Sequence, residues 1–405
     1  MNRGIDRLQT YPFPRLANLV AGIDAPEPVI PLSIGEPRHA PPASALEPLT
    51  DPASLAAGLG RYPPTLGTPE LKAALRRWLT GRYGLEPTTL ADEALIPVTG
   101  TREALFALAH CFVDACAGAT VLMPNPFYQI YEGAALLAGA EPVYVPTPAT
   151  TDFRIDLDAI DEADLERCAL FYVCAPGNPC GATMALAHWQ QLVELADRHD
   201  FVIASDECYS EIYDDETSPP MGLLEACRHL GRDDYDRCIV LNSLSKRSNL
   251  PGLRSGFVAG DARRLARFGA YRTYHGCGMP LPSQAASVIA WSDEAHVAEN
   301  RARYREKFDA VVPILARACE VTRPPAGFFL WPRVPDAFAG DDEAFTRALY
   351  EATGVLTLPG RYLSRPPAAG RDPGAGHVRI ALVAPIDQCV EAAQRIEAFV
   401  AGEAR

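Results

Sequence analysis

One lysine stands among small polar residues and is a candidate for covalent chemistry. Lys246 is one of only three lysines among 37 basic residues, and it directly follows Ser243-Leu244-Ser245. Arginine stays protonated and cannot form an imine, whereas a lysine amine can once it is neutral. The other two lysines, Lys72 and Lys307, lie in helical patterns and are expected to be solvated charges on polar helix faces. The composition therefore singles out Lys246.

Polar groups also follow several short apolar runs that are expected to be strands. Ligands of open α/β sheets bind beyond the carboxyl ends of the strands, so these groups are expected to share one rim. A helix that begins there also offers its N–H groups to an anion. The groups are Gly100, Thr101 and Arg102 after 95–98, Asn178 after 169–173, Asp206 and Tyr209 after 201–204, and Ser243, Ser245 and Lys246 after 238–241.

Each of these residues, taken alone, has an ordinary structural explanation. Gly100-Thr101 is typical of a helix N-cap, Asn178 of a turn before proline, and Tyr209 of half-buried packing. Together they match what pyridoxal 5'-phosphate needs. Its aldehyde needs an amine, its phosphate needs a helix N-terminus and a cation, and its ring nitrogen needs a carboxylate to stay protonated.

At these residues the chain resembles the class I/II aminotransferases of the aspartate aminotransferase fold. The match runs in the family's order through nearly the whole chain. The resemblance implies that Lys246, Asp206 and Tyr209 are catalytic. The implied cofactor contacts are Lys246 to the aldehyde, Asp206 to the ring nitrogen, Tyr209 and Asn178 to the phenolic oxygen, Tyr128 stacked on the ring, and Ser243, Ser245, Arg254 and the backbone of Gly100, Thr101 and Arg102 around the phosphate.

The resemblance also implies how the substrate is held and how chains assemble. Arg379 would grip the substrate α-carboxylate with two parallel hydrogen bonds, assisted by Asn178 and by the backbone at Gly35. Tyr62 would reach the phosphate of a second subunit's cofactor, so a homodimer with shared active sites is implied. Cys180 follows Asn178-Pro179 where many members have Thr or Ser, which changes one hydroxyl near the site.

Apolar runs that alternate with helical patterns predict an α/β fold with a mostly parallel sheet covered on both faces. The resemblance implies the PLP-dependent transferase fold type I, with a sheet of the seven-stranded type in a large domain and a smaller α+β domain. We expect an N-terminal arm and part of the small domain in residues 1–50, the large cofactor-binding domain in 51–283, and the small C-terminal domain in 284–405. Residues 363–376 are predicted to form an exposed loop.

Composition limits the partners. The chain has 405 residues, 48% of them apolar, and a formal charge of −14, which opposes nucleic acid and anionic membranes as partners. No stretch is long and apolar enough to span a bilayer, and the 11 cysteines show no metal-binding spacing. We expect a soluble cytoplasmic protein without a metal site, whose partners are amino acids and 2-oxo acids.

Longer motifs narrow the resemblance to the bacterial N-succinyldiaminopimelate aminotransferases of lysine biosynthesis. These motifs cover 124–135, 205–213, 245–249 and 271–277. The resemblance implies exchange of an amino group between glutamate/2-oxoglutarate and N-succinyl-2-amino-6-oxopimelate/N-succinyl-LL-2,6-diaminopimelate. Both substrates carry a distal acid, so a second cation is expected. The sequence does not choose among Arg15, Arg38, Arg247 and Arg272, although Arg38 follows the Gly35 turn and is the first candidate.

Other functions compete with this interpretation. A carbon–sulfur β-lyase or a broad-range aminotransferase would keep the cofactor residues and differ in the substrate pocket, and use of acetylornithine stays open. A cofactor-sensing regulator would need a helix-turn-helix module and a basic patch, which residues 1–50 do not offer. A binding protein with an inactive site is disfavoured by the complete residue set.

Overall fold

The structure is a computed structural model that describes residues 2–276, 278–367 and 370–403. Cys277, the last residue of one motif above, and residues 368 and 369 of the predicted loop lie outside the described residues. The helices are α1 (Pro12–Leu19), α2 (Ala43–Leu46), α3 (Pro52–Leu59), α4 (Pro69–Tyr83), α5 (Thr101–Phe112), α6 (Ile130–Ala138), α7 (Glu162–Leu165), α8 (Leu186–His199), α9 (Leu223–His229), α10 (Leu244–Arg247), α11 (Ala262–His275), α12 (Leu281–Ser292), α13 (Ala295–Leu315), α14 (Asp342–Thr353) and α15 (Ile386–Glu403). The strands are β1 (Ile30–Pro31), β2 (Leu95–Val98), β3 (Thr120–Asn125), β4 (Glu141–Pro146), β5 (Cys168–Cys174), β6 (Val202–Asp206), β7 (Cys238–Ser243), β8 (Gly256–Gly260), β9 (Phe329–Leu330), β10 (Val355–Leu356), β11 (Leu358–Pro359) and β12 (Val378–Ala381).

A seven-stranded sheet in the order β2-β8-β7-β6-β5-β3-β4 forms the centre of the fold. The pairs from β7 to β4 are parallel, whereas β8 runs antiparallel to both β2 and β7. Short apolar runs at 95–98, 120–123, 142–145, 169–173, 201–204 and 238–241 predict every strand of this sheet except β8. The mixed α/β fold with a mostly parallel seven-stranded sheet is confirmed, and it carries the ends of β2, β5, β6 and β7 to one edge.

Helices cover both faces of this sheet, as the continuous apolar strands require. Alternate residues of β3 show the arrangement, because Leu122 packs with α4, α8, α9 and α12, whereas Val121 and Met123 pack with α5, α6 and α11. All three side chains are fully buried. The rim of the sheet is therefore supported from two independent cores.

Helix α4 begins and ends where its sequence predicts. The Thr68 hydroxyl accepts the Leu71 N–H, Pro69 occupies the first turn, and Gly84 ends the helix at φ 64°. The expectation for Lys72 is wrong, because only 8% of this lysine is exposed and its Nζ donates to the Asp92 carbonyl at 2.8 Å. The Asp92 carbonyl therefore accepts the hydrogen bond that the helical pattern assigned to water.

Two small sheets are built from the two ends of the chain. Strand β1 pairs in parallel with β10, and β12 pairs antiparallel with β11 and β9. A separate apolar cluster, which includes Ile30, Phe308, Leu349, Val378 and Ile396, packs around them. This arrangement agrees with an N-terminal segment that joins the C-terminal elements, while the domain limits at residues 50 and 283 stay a prediction.

The predicted exposed loop at 363–376 is wrong at its beginning. Leu363, Ser364 and Arg365 are buried, and the Arg365 guanidinium makes two hydrogen bonds to the Glu132 carboxylate of α6, at 2.7 and 2.5 Å. The Asn125 side chain also bonds both backbone groups of Arg365. In such a buried pair, loss of one partner costs about 3–5 kcal/mol because the other charge stays unpaired. The ion pair fixes this segment against α6, and the Asn125 hydrogen bonds fix it against the end of β3.

Two further findings concern the whole described chain. Among the helices of the described residues, none combines the length and the apolar character that crossing a bilayer would require. The ten cysteines that the structure describes are free thiols, and Cys116 alone among them is exposed.

Candidate active site

A cavity of about 600 Å³ opens beyond the carboxyl ends of the central strands. It brings together residues from seven separate parts of the chain that the sequence singles out. The predicted residues that line it are Gly35, Thr101, Arg102, Tyr128, Asn178, Asp206, Tyr209, Ser245, Lys246, Arg254 and Arg379. The predicted shared rim is therefore present, although no ligand role follows from position alone.

Lys246 lies on the short helix α10, whose N-terminus is capped by the Ser243 hydroxyl. Its Nζ donates to the carbonyl oxygen of Gly35 at 2.5 Å, across the cavity from its own strand. Burial lowers the pKa of the Lys246 amine to about 8, because the charged form loses hydration. At pH 7.5 about a quarter of such amines are neutral, against about 0.1% for an ordinary lysine.

Asp206 ends strand β6 and is buried at the floor of the cavity. The Tyr131 hydroxyl donates to its Oδ2 at 2.9 Å and the Cys208 N–H to its Oδ1 at 3.3 Å. Burial raises the pKa of the Asp206 carboxyl, so this site favours a cationic partner for the carboxylate. Sequence reasoning missed Tyr131. Its position three residues after Tyr128, at the start of α6, was the available signal.

Tyr209 and Cys208 complete this floor. The Tyr209 ring packs edge-on against Phe328 and Phe329 at centroid distances of 5.4 and 5.6 Å, and burial raises the pKa of its hydroxyl. The Cys208 thiol lies 3.1 Å from the Thr101 hydroxyl. Cys208 is buried, and the sequence did not predict its place in the cavity wall.

An anion cradle lies at the start of α5. Gly100 adopts φ 86°, and a Cβ at this position would lie 2.2 Å from Nη2 of Arg254. The absence of a side chain therefore lets the Arg254 guanidinium lie directly against the first turn of the helix. N–H groups at a helix N-terminus beside a guanidinium form a site that suits a phosphate. Ser245 lines the same part of the cavity.

Arg379, on strand β12, is a buried guanidinium that lacks a carboxylate partner among the described residues. Its Nη1 donates to Asn178 Oδ1 at 3.0 Å and its Nη2 to the Ser33 carbonyl at 2.8 Å. Its Nε is buried with no hydrogen-bond partner in the described chain. Burial lowers the pKa of Arg379 to about 10. A charge so placed suits an incoming carboxylate.

The mouth of the cavity is formed by Arg102, Tyr11 and Tyr128. The exposed Arg102 side chain donates from Nε to the Tyr128 hydroxyl at 2.7 Å and from Nη2 to the Tyr11 hydroxyl at 2.9 Å. Burial raises the pKa of the Tyr128 hydroxyl to about 12, so this hydroxyl stays protonated and neutral. Tyr11, on the N-terminal segment, was not a sequence-predicted site residue.

Gly35 has a steric reason to be glycine. A Cβ there would lie 2.6 Å from the ring of Phe329, which lines the same cavity. Ser243 does not line the cavity, because its hydroxyl donates to the Ser255 carbonyl at 2.8 Å while it caps α10. Tyr62 is 99% exposed in the single chain and lies outside the cavity. Their predicted cofactor contacts stay predictions.

The four arginines expected to reach a distal acid are all described, and none of them lines the cavity. Arg247 is buried against Glu294, and Arg272 is buried in a two-bond pair with Glu103. Arg15 lies over the Tyr362 ring, and Arg38 is exposed. The cavity instead presents Arg102 as a further cation at its mouth.

The cavity fits pyridoxal phosphate. The helix N-terminus with Arg254 suits the phosphate, the buried Asp206 suits a protonated ring nitrogen, and the Lys246 amine lies in the same space. Arg379, with an unpartnered buried Nε, is left over for a substrate carboxylate. Each functional group of the cofactor thus has a candidate partner, and a cation remains for the substrate.

Comparisons with known proteins agree with this site. Residues 27–396 match the family described as aminotransferase class I and II. The chain is 32% identical to an LL-diaminopimelate aminotransferase of Nitratidesulfovibrio vulgaris, over 96% of this chain and 97% of that protein.

Solved structures are similar over the same length. An aminotransferase from Neisseria meningitidis has a TM-score of 0.91 and 46% identity, covering 98% of this chain and 99% of that one. A probable N-succinyldiaminopimelate aminotransferase from Thermus thermophilus has a TM-score of 0.80 and 26% identity, covering 96% and 99%. From these matches and the cavity that fits the cofactor, we conclude that the chain belongs to the class I and II aminotransferases, which depend on pyridoxal phosphate.

Proposed function

We propose that the protein moves an amino group between glutamate/2-oxoglutarate and N-succinyl-2-amino-6-oxopimelate/N-succinyl-LL-2,6-diaminopimelate, as a succinyldiaminopimelate transaminase of lysine biosynthesis. The observation that carries the proposal is one cavity in which Lys246, Asp206 and the carboxylate-free Arg379 meet. A mouth with an additional arginine supports a substrate that is acidic at both ends. The narrower resemblance of the sequence motifs supports the N-succinyl substrate.

Lys246 has two tasks in this reaction. Its neutral amine would hold the cofactor at the aldehyde. Once released by the substrate amine, it would act as the base that takes the proton from Cα of the substrate. Bound pyridoxal phosphate supplies a ring that delocalises the electron pair left at Cα. The lowered pKa of Lys246, about 8, keeps a useful fraction of the amine neutral near neutral pH.

The other residues orient and polarise. Asp206 holds a proton at the ring nitrogen, and the Tyr131 hydroxyl keeps its carboxylate in position. Arg379 binds the substrate α-carboxylate and thereby sets the direction of the Cα–H bond. Tyr209 and Asn178 donate to the phenolic oxygen of the cofactor, and Arg254 with the start of α5 holds its phosphate.

Arg102 is the group best placed to bind the second acid of the substrate. Its Nε and Nη2 donate to the Tyr128 and Tyr11 hydroxyls, which fixes the guanidinium, while its Nη1 makes no hydrogen bond to the residues that the structure describes. Arg254 and Arg379 also line the cavity. Arg254 binds the cofactor phosphate and Arg379 binds the substrate α-carboxylate, so both are already assigned. This assignment replaces Arg38 as the first candidate.

Substitution Arg102→Met is expected to lower kcat/KM for glutamate by about 10- to 100-fold, since a charged hydrogen bond contributes about 1.5–3 kcal/mol. The same substitution should change kcat/KM for alanine, which has no second acid, by less than about threefold. Arg15→Met is the control, because Arg15 lies outside the cavity. Equal losses for both amino acids would contradict a specific contact to the distal acid.

The whole proposal is tested by titrating the purified protein with amino acids and following the visible absorbance of the bound cofactor. Glutamate and N-succinyl-LL-2,6-diaminopimelate should both bleach the yellow form to the pyridoxamine form, and 2-oxoglutarate should restore it. Pyruvate and ammonia released from cystathionine would favour a β-lyase. A protein that binds no pyridoxal phosphate would overturn the proposal.

A second candidate substrate is free LL-diaminopimelate. It is favoured by the names of the relatives, which are LL-diaminopimelate aminotransferases at 29–32% identity over nearly the full chain. The two substrates differ only at the distal amine, which is acylated in one and cationic in the other. Their kcat/KM values, measured side by side in the same titration, decide between them.

We also propose a homodimer in which Tyr62 approaches the partner's cofactor. Tyr62 and Tyr274 are 99% and 93% exposed in the single chain, which is unusual for two large aromatic side chains. The two segments that carry these tyrosines lie side by side, because Pro63 contacts Gly278 and Leu66 contacts Gly269. Light scattering should give twice the chain mass, and a mass of 43.8 kDa would contradict the dimer.

A further inference from the structure

Behind the cavity, three side chains form a hydrogen-bonded chain that the proposed reaction does not use. Lys307 Nζ lies 2.7 Å from His39 Nε2, and His39 Nδ1 lies 2.8 Å from Asn300 Oδ1. The Asn300 amide nitrogen donates to the carbonyl oxygens of Lys246 and Arg247, each at 3.3 Å. A path of three contacts therefore leads from Lys307 through His39 and Asn300 to the backbone of Lys246.

While Lys307 is protonated, the available donors determine the direction of every proton in this chain. The Lys307 ammonium can only donate, so His39 Nε2 accepts and Nδ1 carries the ring proton. Nδ1 then donates to Asn300 Oδ1, which also accepts from the Asn249 amide at 3.1 Å. This leaves the Asn300 amide nitrogen for the two backbone carbonyls. One assignment of donors and acceptors therefore satisfies every hydrogen bond of the network.

Lys307 was expected to be solvated, but only 2% of it is exposed. No carboxylate in the part of the chain that the structure describes forms an ion pair with it, and it donates instead to the carbonyls of Leu382 and Val383. A buried ammonium without a counter-ion is unfavourable, and burial lowers its pKa to about 8. Solvent exposure on a polar helix face therefore does not explain why a lysine stands at position 307.

His39 ends the segment that forms one edge of the cavity. Ile34, Gly35 and Glu36 line the cavity, and the Gly35 carbonyl accepts the Lys246 amine at 2.5 Å. The same network thus reaches Lys246 twice, once through the acceptor of its amine and once through its own carbonyl. The His39 ring is further held against Tyr304, at a centroid distance of 4.7 Å.

We propose that Lys307, His39 and Asn300 are positioning residues that hold the 34–39 segment over Lys246 and so keep its amine desolvated. The inference rests on the proposed role of Lys246 and concerns how the protein maintains that amine. If the network is broken, the segment moves away from the amine and water enters. The charged form of Lys246 then regains hydration, and its tendency to stay protonated rises.

Other charged and titratable groups around the network and the amine stay unchanged in the variants below. Arg303, Glu306 and Cys389 face Lys307, and Arg303 also faces His39. Asp206, Cys208, Glu36 and Arg379 face the Lys246 amine. Glu36 lies in the 34–39 segment and its charge raises the pKa of the Lys246 amine. Its departure with the segment would move the midpoint down, so an upward shift reports hydration of the amine.

The test measures how fast the full-length protein, stripped of its cofactor, captures pyridoxal phosphate at pH values from 6 to 10, followed by visible absorbance. In the parent protein the rate should rise to a midpoint near pH 8. His39→Phe keeps a ring against Tyr304 but removes both hydrogen bonds. It should move the midpoint up by about one pH unit and lower the rate at pH 7.5 about tenfold, since one unit is a factor of ten.

Two further variants separate positioning from folding. His39→Gln can still accept from Lys307 and donate to Asn300, so it should restore the parent midpoint. Lys307→Met should behave like His39→Phe, and if it does not fold, His39→Phe decides alone. Lys72→Met, which removes a buried lysine that bonds the Asp92 carbonyl outside the cavity, should leave the midpoint unchanged.

The outcomes distinguish this inference from the proposed function. A parent protein that captures no pyridoxal phosphate overturns the function. Capture by the parent with the same midpoint in His39→Phe overturns the positioning network, as does an equal shift in His39→Gln or Lys72→Met. Thermal unfolding of each variant, measured in parallel, shows that a shifted midpoint belongs to folded protein.

Discussion

Replacing Lys246 with alanine is expected to lower turnover of glutamate with 2-oxoglutarate by about 10⁴-fold or more, because the variant loses both the covalent attachment and the proton carrier. The protein should still fold and still bind pyridoxal phosphate, since the phosphate cradle at Arg254 and the start of α5 is untouched. Coupled detection of product measures turnover, and absorbance of the dialysed protein measures bound cofactor.

A small added amine should restore part of the activity in Lys246→Ala, since it can carry the proton but is not positioned. Lys246→Arg is the matched control for charge, and it should be as inactive as alanine because a guanidinium stays protonated. Turnover within about tenfold of the parent, without added amine, would contradict the assignment of Lys246.

The central sheet is predictable because its strands are short apolar runs buried on both faces. The runs at 95–98, 120–123 and 238–241 can be recognised as strands although their apolar residues do not alternate with polar ones. Strand β8, Gly256-Phe257-Val258-Ala259-Gly260, escapes prediction because glycines bound a run of only three apolar residues. Its antiparallel direction comes from tertiary pairing between β2 and β7, which no local pattern encodes.

The cavity residues are predictable for a different reason. Parallel strands bring their carboxyl ends to one edge, so Asp206, Asn178 and Lys246 meet once the strands are known. Arg379 was placed by resemblance alone, and its flanking apolar residues were compatible with a surface position too. The finding that its guanidinium is buried without a carboxylate comes only from the three-dimensional arrangement.

Charged residues were the least predictable part of the sequence. Lys72, Lys307 and Arg365 are all buried, although helical periodicity or a proline-rich loop predicted exposure. Their acceptors, the Asp92 and Leu382 carbonyls and the Glu132 carboxylate, lie 20, 75 and 233 positions away along the chain. Periodicity reports which face of a helix is apolar, and it carries no information on a distant acceptor that can receive a buried charge.

The second large effect concerns Asp206. Asp206→Asn keeps the shape and the hydrogen bond from Tyr131 but removes the negative charge that holds a proton at the ring nitrogen. The loss of this preorganised charge is expected to lower kcat/KM by about 10²- to 10³-fold. A cofactor analogue with a methylated ring nitrogen carries a permanent charge, so it should recover part of the loss in Asp206→Asn and none in Lys246→Ala.

Glu207→Gln is the matched control for the loss of a buried acid. Glu207 lies next to Asp206 in sequence but faces away from the cavity, where it accepts hydrogen bonds from Tyr83 and from the Leu223 N–H. Burial raises the pKa of Glu207 to about 7, so both acids are desolvated and only their positions differ. We expect Glu207→Gln to keep kcat/KM within about tenfold of the parent. If Glu207→Gln lost as much kcat/KM as Asp206→Asn, a general disturbance of the carboxyl end of β6 would explain both losses, and the charge at the ring nitrogen would not.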